Sequence, residues 1–127
     1  MDYGMSQDEA KFTIAKGKQV AALKSLKALA KNTKLTWVTA EDILASKTLV
    51  GAMEELRWPV EEDDDGNITA IEFSGEKAGD EMKFFGALAE YVDDGCFIEM
   101  HGEDGTRWRW VFSGGKVTEK TASVSWD

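Results

Sequence analysis

The stretch CFIEMHGEDGTRWRWVFSGGKVTEK, residues 96–120, decides the fold, because apolar and polar residues alternate in it between glycine-rich turns. Alternation with a period of two places every second side chain on the same face of a β-strand. The apolar positions of the first two segments are Cys96, Ile98, Met100, Trp108, Trp110 and Phe112. The third segment, KVTEKTASVSW, continues to residue 126, and its Ala122, Val124 and Trp126 share a face. The pattern predicts a three-stranded antiparallel meander with one face against a hydrophobic core.

Three amphipathic helices are predicted upstream of the last strands. The first covers residues 18–31. Its apolar stripe is Val20, Leu23, Leu26, Leu29 and Ala30. The second is predicted from a cap at Thr39 to the residue before Pro59, since proline lacks the amide that a helix needs. The third begins at Asp80 and Glu81, where negative charge suits the helix dipole. Its predicted buried stripe is Met82, Phe85, Leu88, Ala89 and Val92.

Between the second and third helices, the stretch EEDDDGNITAIE, residues 61–72, allows two interpretations. As a calcium-binding EF-hand loop it has acids at most ligand positions and Gly66 at the sharp turn. An EF-hand also needs a helix leaving the loop, whereas the residues from Ile68 onward are rich in β-branched side chains. The stretch therefore predicts a β-hairpin with an Asp-Asp-Asp-Gly-Asn turn, and an incidental cation site at the turn stays open.

Together these elements predict an α+β fold, in which an antiparallel sheet, made of the C-terminal meander and the Asp-rich hairpin, packs against about three helices. We expect residues 1–10 to be a flexible lead and residues 11–127 to form a single domain. Cys96 is the single cysteine, so an intrachain disulfide is excluded. No signal peptide or membrane span is recognisable. The expectation is a cytoplasmic protein without a cofactor.

Charge is unevenly distributed along the chain, which has a net charge of −9. Residues 11–34 carry seven lysines and no acid, whereas residues 54–104 carry seventeen acids and three bases. The acidic balance argues against a general nucleic-acid-binding protein, which needs excess lysine and arginine for the phosphates. Lys24, Lys27 and Lys31 line one face of the first predicted helix. This face is either solvated or a docking strip for an acidic partner.

Few residues are candidates for catalysis. His101 is the single histidine, and no serine nucleophile motif, phosphate-binding glycine loop or paired cysteines accompany it. Arg107 and Arg109 are expected on the strand face opposite the tryptophans. There they either anchor a partner or pair with a cross-strand acid, Glu99 or Glu119. The alternative function is therefore a small-ligand or anion-binding domain, enzymatic in one version, with a pocket near His101 and the two arginines.

The segment GEDGTRWRWVFSGGK, with FSGEKAGDEMKFF and the Asp-rich hairpin, resembles a set of small uncharacterised proteins of bacteria and their phages. The resemblance covers roughly residues 55–126, and its Gly, Asp and Trp positions look structural. It implies an intracellular α+β domain of bacterial or phage origin, and it transfers no catalytic residue.

The sequence thus predicts a non-enzymatic binding protein, of the inhibitor, anti-defence or immunity kind, that competes for a basic surface on a protein partner. The acids expected to form its binding face are Asp63, Asp64, Asp65, Asp80 and Glu81. Secondary recognition candidates are Arg107, Arg109, Lys24, Lys27 and Lys31. No metal site is expected. A homodimer is open as well, if Phe97, Val111 and Val117 form an exposed apolar sheet face.

Overall fold

The computed structural model describes residues 4–32, 40–76 and 81–121, and it shows the predicted α+β fold. The strands are β1 (Gly4–Lys11), β2 (Val60–Glu62), β3 (Ile68–Ile71), β4 (Ser74–Glu76), β5 (Phe97–Gly102), β6 (Arg107–Ser113) and β7 (Lys116–Thr121). The helices are α1 (Gln19–Asn32), α2 (Ala40–Ala45), α3 (Leu49–Glu55) and α4 (Glu81–Leu88). Predictions for Thr39, Asp80, Ala122, Val124 and Trp126 lie outside the described residues.

The main sheet has five strands in the order β4-β1-β5-β6-β7, and neighbouring strands are antiparallel. The predicted meander is confirmed, because β5 pairs with β6 and β6 pairs with β7. The buried side chains of β5 and β6 are Ile98, Met100, Trp108, Trp110 and Phe112. The intervening Arg107 and Arg109 are exposed. The sheet therefore has a core face and an open face.

Strand β1 lies inside the sheet, between β4 and β5. The prediction of a flexible lead over residues 1–10 is therefore wrong from Gly4 onward. Met5, opposite Gly102 of β5, is the single fully buried residue among the eight of β1. Apolar alternation reports buried side chains, so it could not indicate this strand. The strand is held by its backbone pairing with residues far away in sequence.

The helices form a layer on the core face of the sheet. Helix α1 contacts α4, where Ser25 Oγ donates a hydrogen bond of 2.6 Å to the carbonyl oxygen of Ala87. The ring of Phe85 in α4 lies 5.2 Å from the ring of Trp110 in β6. The helical layer and the sheet thus share one hydrophobic core.

Two details of the first two predicted helices differ from expectation. In α1, Val20 is 69% exposed, and Ala22 takes part in the buried stripe instead. The predicted second helix is divided into α2 and α3. Thr48 begins α3, because its hydroxyl oxygen accepts a hydrogen bond from Gly51 N at 3.1 Å. A threonine in this position favours a new helix start over continuation of the previous helix.

Helix α4 is rotated about its axis relative to the prediction. Glu81 is 2% exposed, whereas Met82, expected in the core, is 40% exposed. The neighbouring Phe84 and Phe85 are both buried. Two adjacent large rings bury the most apolar area when the buried stripe of the helix is centred between them. The helix is therefore rotated, and the residues one turn earlier change faces with it. Glu81 follows Phe85 onto the buried face.

Trp58 lies at the centre of the core and is 1% exposed. Its ring stacks on Phe73 at 4.4 Å and meets the edge of Phe85 at 5.1 Å. The end of α3 positions it: Trp58 N donates to the carbonyl oxygen of Met53 at 3.0 Å, and Arg57 has a φ of 67°. This is the hydrogen bond of a Schellman helix end, with an arginine at the left-handed position where glycine is usual.

The acidic stretch forms the predicted hairpin. Strands β2 and β3 pair antiparallel, with Val60 opposite Ile71, and they form a separate two-stranded sheet. The prediction that the hairpin belongs to the same sheet as the meander is therefore wrong. Ile68 of β3 bridges to Ile14, and both side chains are fully buried. Residues 68–71 are thus a strand where an EF-hand requires a helix, so the calcium-loop interpretation is excluded. The bridge to Ile14 fixes the hairpin against the rest of the fold.

Candidate functional site

The hairpin carries a dense set of exposed carboxylates, referred to below as the acidic hairpin. Its exposed acids are Glu61, Glu62, Asp63, Asp64, Asp65 and Glu72. Residues 58–76 contain no lysine and no arginine. Carboxylates in this arrangement stay in water, because burial would cost their hydration. The hairpin therefore has a strongly negative surface potential that is not neutralised from within the hairpin.

Asp63 differs from the other acids of the hairpin, because its carboxylate holds the turn. Oδ1 accepts hydrogen bonds of 2.9 Å from the amides of Asp65 and Asn67, and Oδ2 accepts one of 3.2 Å from Asn67 Nδ2. These bonds, first among them the backbone bond from Asn67, hold the pKa of the Asp63 carboxyl below its usual value of 3.8. Gly66 completes the turn with a φ of 85°.

The turn is also attached to the start of the helical layer. Lys16 N donates to Asn67 Oδ1 at 2.9 Å, and Gln19 Nε2 donates to the carbonyl oxygen of Gly66 at 2.8 Å. On the other side, Gln7 Nε2 of β1 donates to the carbonyl oxygen of Ile71 at 2.7 Å. Contacts at both ends leave the hairpin little freedom to move. Its carboxylates are presented on a preorganised scaffold.

The acid set predicted as a binding face is only partly assembled. Asp64 and Asp65 are exposed as expected, and Asp63 is exposed but engaged in the turn. Glu81 is buried, so the prediction that it contributes to a surface is wrong. Its burial follows from the rotation of α4 described above. The hairpin adds three further exposed acids that were not in the predicted set, Glu61, Glu62 and Glu72.

The lysines of α1 line its exposed side, as the pattern predicts. Lys24 and Lys31 are exposed, and Lys27 is half-buried. The aliphatic part of Lys16, just before α1, lies against Gly66 of the hairpin turn. A basic side chain thus borders the acidic hairpin at one edge.

The open face of the sheet carries cross-strand rows of charged side chains. One row joins Glu99 of β5, Arg109 of β6 and Lys120 of β7, which are directly opposite one another. Arg109 Nη2 forms an ion pair with Glu99, and its guanidinium carbon lies 4.9 Å from the ring centroid of Phe97. These two contacts hold Arg109 in one place. The predicted pairing of an arginine with Glu99 is confirmed.

The other predicted partner, Glu119, lies on the core face. Its Oε1 accepts a hydrogen bond of 2.9 Å from Trp110 Nε1. Val117 also faces the core, because it is opposite Phe112 in the pairing of β6 with β7. Of the three predicted residues, Phe97 and Val111 lie on the open face, and both are half-buried. The apolar sheet face expected for a homodimer is not formed by all three predicted residues.

The second row on the open face contains His101 of β5 and Arg107 of β6. His101 Nδ1 lies 2.7 Å from Oδ1 of Asp8 in β1. The register of β1 and β5 shifts between Gln7 and Ala10, so two residues of β1 are opposite Glu99. This β-bulge directs the Asp8 carboxylate to the open face. Bulges commonly redirect a side chain next to a binding or active site.

A groove of about 350 Å³ lies between the two rows. Its lining residues are Asp8, Glu99, Met100, Arg107, Trp108, Arg109, Lys120 and Thr121. A second groove, of about 230 Å³, separates the acidic hairpin from β1, and Asp8 lines this one too. The structure thus brings the predicted Arg107 and Arg109 together, with His101 next to them through Asp8.

Sequence reasoning missed two charged residues of the groove, Asp8 and Lys120. Asp8 is 93 positions from His101, and only the pairing of β1 with β5 brings them together. No local signal indicates a bulge in a strand that was itself not recognised. Lys120 could have been found, since the alternation in the meander implies which residue of the last strand is opposite Arg109.

Outside the hairpin, two titratable groups in the described part of the chain have raised pKa values, Cys96 and Tyr91. Burial raises the pKa of the Cys96 thiol, which keeps the residue in its unreactive protonated form. Burial, followed by the Glu90 carboxylate, raises the pKa of the Tyr91 hydroxyl. Within residues 4–32, 40–76 and 81–121, no group of three or more His, Cys, Asp or Glu side chains is placed to hold a metal ion.

Comparison with known proteins gives no relative. No protein-family model matches the chain, and no curated protein and no solved structure matches it. In the described part of the chain, no helix combines the length and the apolar character needed to cross a membrane. The resemblance to small bacterial and phage proteins stays a prediction.

Proposed function

We propose that this protein is a non-enzymatic binding protein whose acidic hairpin occupies a basic surface on a partner protein. The observation that carries the proposal is the set of six exposed carboxylates on a hairpin that contains no basic residue. Such a surface attracts a basic partner over distances of about one Debye length, roughly 8 Å at physiological salt. The partner surface with the matching chemistry is one that otherwise binds nucleic-acid phosphates, so the protein would act as a competitive inhibitor of that binding.

The attachment of the hairpin supports this function. Hydrogen bonds from Lys16 N and Gln19 Nε2 fix the turn, and Gln7 fixes β3. A preorganised surface loses little conformational entropy when it binds, so more of the interaction energy is retained as affinity. A disordered acidic tail would attract the same partners but would not present its charges in a fixed geometry.

The test uses partners captured from lysate proteins that have first been retained on DNA-cellulose and eluted with salt. Each captured protein is identified and purified, and its association rate with our protein is measured at low salt and at about 0.5 M salt. We expect Asp64→Asn/Asp65→Asn to slow association about threefold or more and to weaken the salt dependence. Asp63 is left intact, because its carboxylate holds the turn.

The matched control is Glu41→Gln/Glu90→Gln, which removes two exposed carboxylates elsewhere on the molecule. This variant has the same net charge as the hairpin variant, so it separates a local effect from a global one. An equal loss in both variants, association that is indifferent to salt, or no captured partner at low salt would each contradict the proposal. Competition is checked separately, by release of a DNA oligonucleotide from the captured partner.

A further inference from the structure

The groove on the open face is bipolar. Asp8 and Glu99 supply carboxylates at the β1 and β5 end, whereas Arg107 and Lys120 supply cations at the β6 and β7 end. Two of the three arginines of a chain with net charge −9 line this one groove. The concentration of basic residues here is not a consequence of the overall composition.

The charges in the groove are not equivalent. Arg109 is bound to Oε1 of Glu99, and His101 is bound to Oδ1 of Asp8. Each of these carboxylates uses one oxygen in its pair, so its second oxygen can still accept from an ammonium group. Among the described residues, no carboxylate forms an ion pair with Arg107 or Lys120. The cationic end therefore has spare hydrogen-bond donors. A guanidinium and an ammonium that border the same groove repel each other, and a bound anion relieves that repulsion.

The pleat of the sheet explains why a groove exists between these residues. Met100, Trp108 and Thr121 are neighbours across three strands. The side chains of Met100 and Trp108 are buried and point to the core. Their backbone forms the floor. The row with Arg109 and the row with Arg107 rise on either side of it. A floor made of paired strands is rigid, as a binding site requires.

We propose that this groove binds a small zwitterion, with a carboxylate at the Arg107 and Lys120 end and an ammonium group at the Asp8 and Glu99 end. Neighbouring strands are about 4.8 Å apart, so Asp8 in β1 and Arg107 in β6 are separated by roughly 10 Å. A ligand with its two charges at that separation has the size of a short peptide. The groove volume, about 350 Å³, lies at the lower end of the range for ligand sites, roughly 300–1,000 Å³.

This site is distinct from the acidic hairpin, and the two proposals can fail separately. The hairpin has charges of one sign and suits a large basic surface. The groove has charges of both signs within a small volume and suits a ligand of matching polarity. Asp8 borders both grooves, so the variants used below leave Asp8 unchanged.

Triglycine is the test ligand, because three extended residues at about 3.3–3.6 Å each span roughly 10 Å between its charged termini. Three control compounds separate the two charges. Acetate has the anion alone, ethylamine has the cation alone, and triglycine that is acetylated and amidated has neither charge. Binding is followed by the NMR shifts of the amides of Met100, Trp108 and Thr121 in the floor. We expect triglycine to bind at least about tenfold more tightly than acetate or ethylamine, since one further charge-assisted contact is made.

Two variants locate the binding. Arg107→Gln/Lys120→Gln removes the two groove cations that have no carboxylate partner among the described residues and leaves Arg109, which is paired with Glu99. We expect this variant to abolish the preference for triglycine over ethylamine. Lys24→Gln/Lys31→Gln makes the same charge change on the exposed side of α1 and serves as the matched control. All four side chains are exposed, and unchanged amide shifts in the core confirm that each variant is folded.

The proposal is overturned if triglycine and acetate bind equally, or if no probe gives saturable shifts in the floor. It is also overturned if the control variant loses triglycine binding as much as the groove variant does. The Asp64→Asn/Asp65→Asn variant should bind triglycine normally. Loss of triglycine binding in that variant would show that the hairpin, not the groove, is responsible.

Discussion

The two faces of strand β6 differ in environment, although their residues are neighbours in sequence. Trp108, Trp110 and Phe112 are buried and pack against the helices, whereas Arg107 and Arg109 line a groove on the open face. The core face obtains its stability from apolar area and ring contacts, which need no particular partner in sequence. The open face depends on which residues the strand register places side by side. Adjacent positions of one strand should therefore respond very differently to substitution.

The sharpest form of this comparison is between Trp110 and Arg109. Trp110→Ala removes a fully buried ring that contacts Trp58 at 5.7 Å and Phe85 at 5.2 Å, and we expect it to lower the free energy of unfolding by about 3–5 kcal/mol. Arg109→Ala should lower it by less than about 1 kcal/mol, because the side chain is 48% exposed and its ion pair is hydrated. Urea denaturation measures both.

Trp110→Phe is the companion variant in case the alanine variant does not fold. It keeps an aromatic ring and loses the indole hydrogen bond. Its free energy of unfolding should therefore also fall, but by less than that of Trp110→Ala. The comparison between the two faces breaks if Arg109→Ala costs as much as Trp110→Phe. In that event the open face contributes to the stability of the core, contrary to its exposure.

Strand β7 offers a second pair of neighbours, Glu119 and Lys120. Glu119→Ala leaves the buried Trp110 Nε1 without its acceptor, and we expect a loss of about 1–3 kcal/mol. Lys120→Ala on the open face should change stability by no more than about 0.5 kcal/mol. Glu119→Gln keeps an acceptor oxygen and should recover much of the loss. If glutamine were as damaging as alanine, negative charge rather than the hydrogen bond would be the important property.

A smaller effect is expected within the open face itself. A double-mutant cycle on Glu99→Ala and Arg109→Ala should give a coupling free energy of about 0.2–1 kcal/mol, because both side chains are partly hydrated. The coupling should fall at about 0.5 M salt. A coupling above about 2 kcal/mol that is insensitive to salt would mean that the pair is shielded from water, for example by a second copy of the chain on this face.

The same difference between the faces explains what the sequence could predict. Alternation in β5 and β6 identifies the core face, because burial selects the residue type at each position locally. The acidic hairpin was predicted from its turn residues, because the turn conformation also selects residue types locally. Both features are encoded in stretches of a few residues, and the structure confirms them.

The groove was predictable only in part: alternation places Arg107 and Arg109 on one strand face, but the strand register adds residues such as Asp8 from distant parts of the chain. Asp8 reaches it through a bulge in a strand with one buried residue, and periodicity cannot detect such a strand. The rotation of α4 also depends on distant packing. The sequence allows a buried face that contains Met82 and Phe85, but the structure buries the face that contains the two large rings of Phe84 and Phe85. Packing against the rest of the core settles that choice, and one helix in isolation does not.

The smallest effect concerns two neighbours in the acidic hairpin, Asp63 and Asp64. The Asp63 carboxylate accepts three hydrogen bonds in the turn, which lower its pKa below 3.8, whereas Asp64 is exposed beside it. A lowered pKa in the folded state means that the carboxylate stabilises the fold above its unfolded pKa and ceases to do so as the pH falls through its folded pKa. Thermal unfolding of the wild type and of Asp63→Ala should therefore differ most above about pH 5, and the difference should shrink in acid.

Asp64→Ala is the matched control, because it removes the same charge from the same turn. Its loss relieves repulsion among the hairpin acids, so any pH-dependent change in the melting temperature should have the opposite sign to that of Asp63→Ala. Amide hydrogen exchange at Gly66 and Asn67 locates the effect in the turn. If the two variants show the same sign and the same pH dependence, the hydrogen bonds of Asp63 do not distinguish it from its neighbour, and charge alone governs the hairpin.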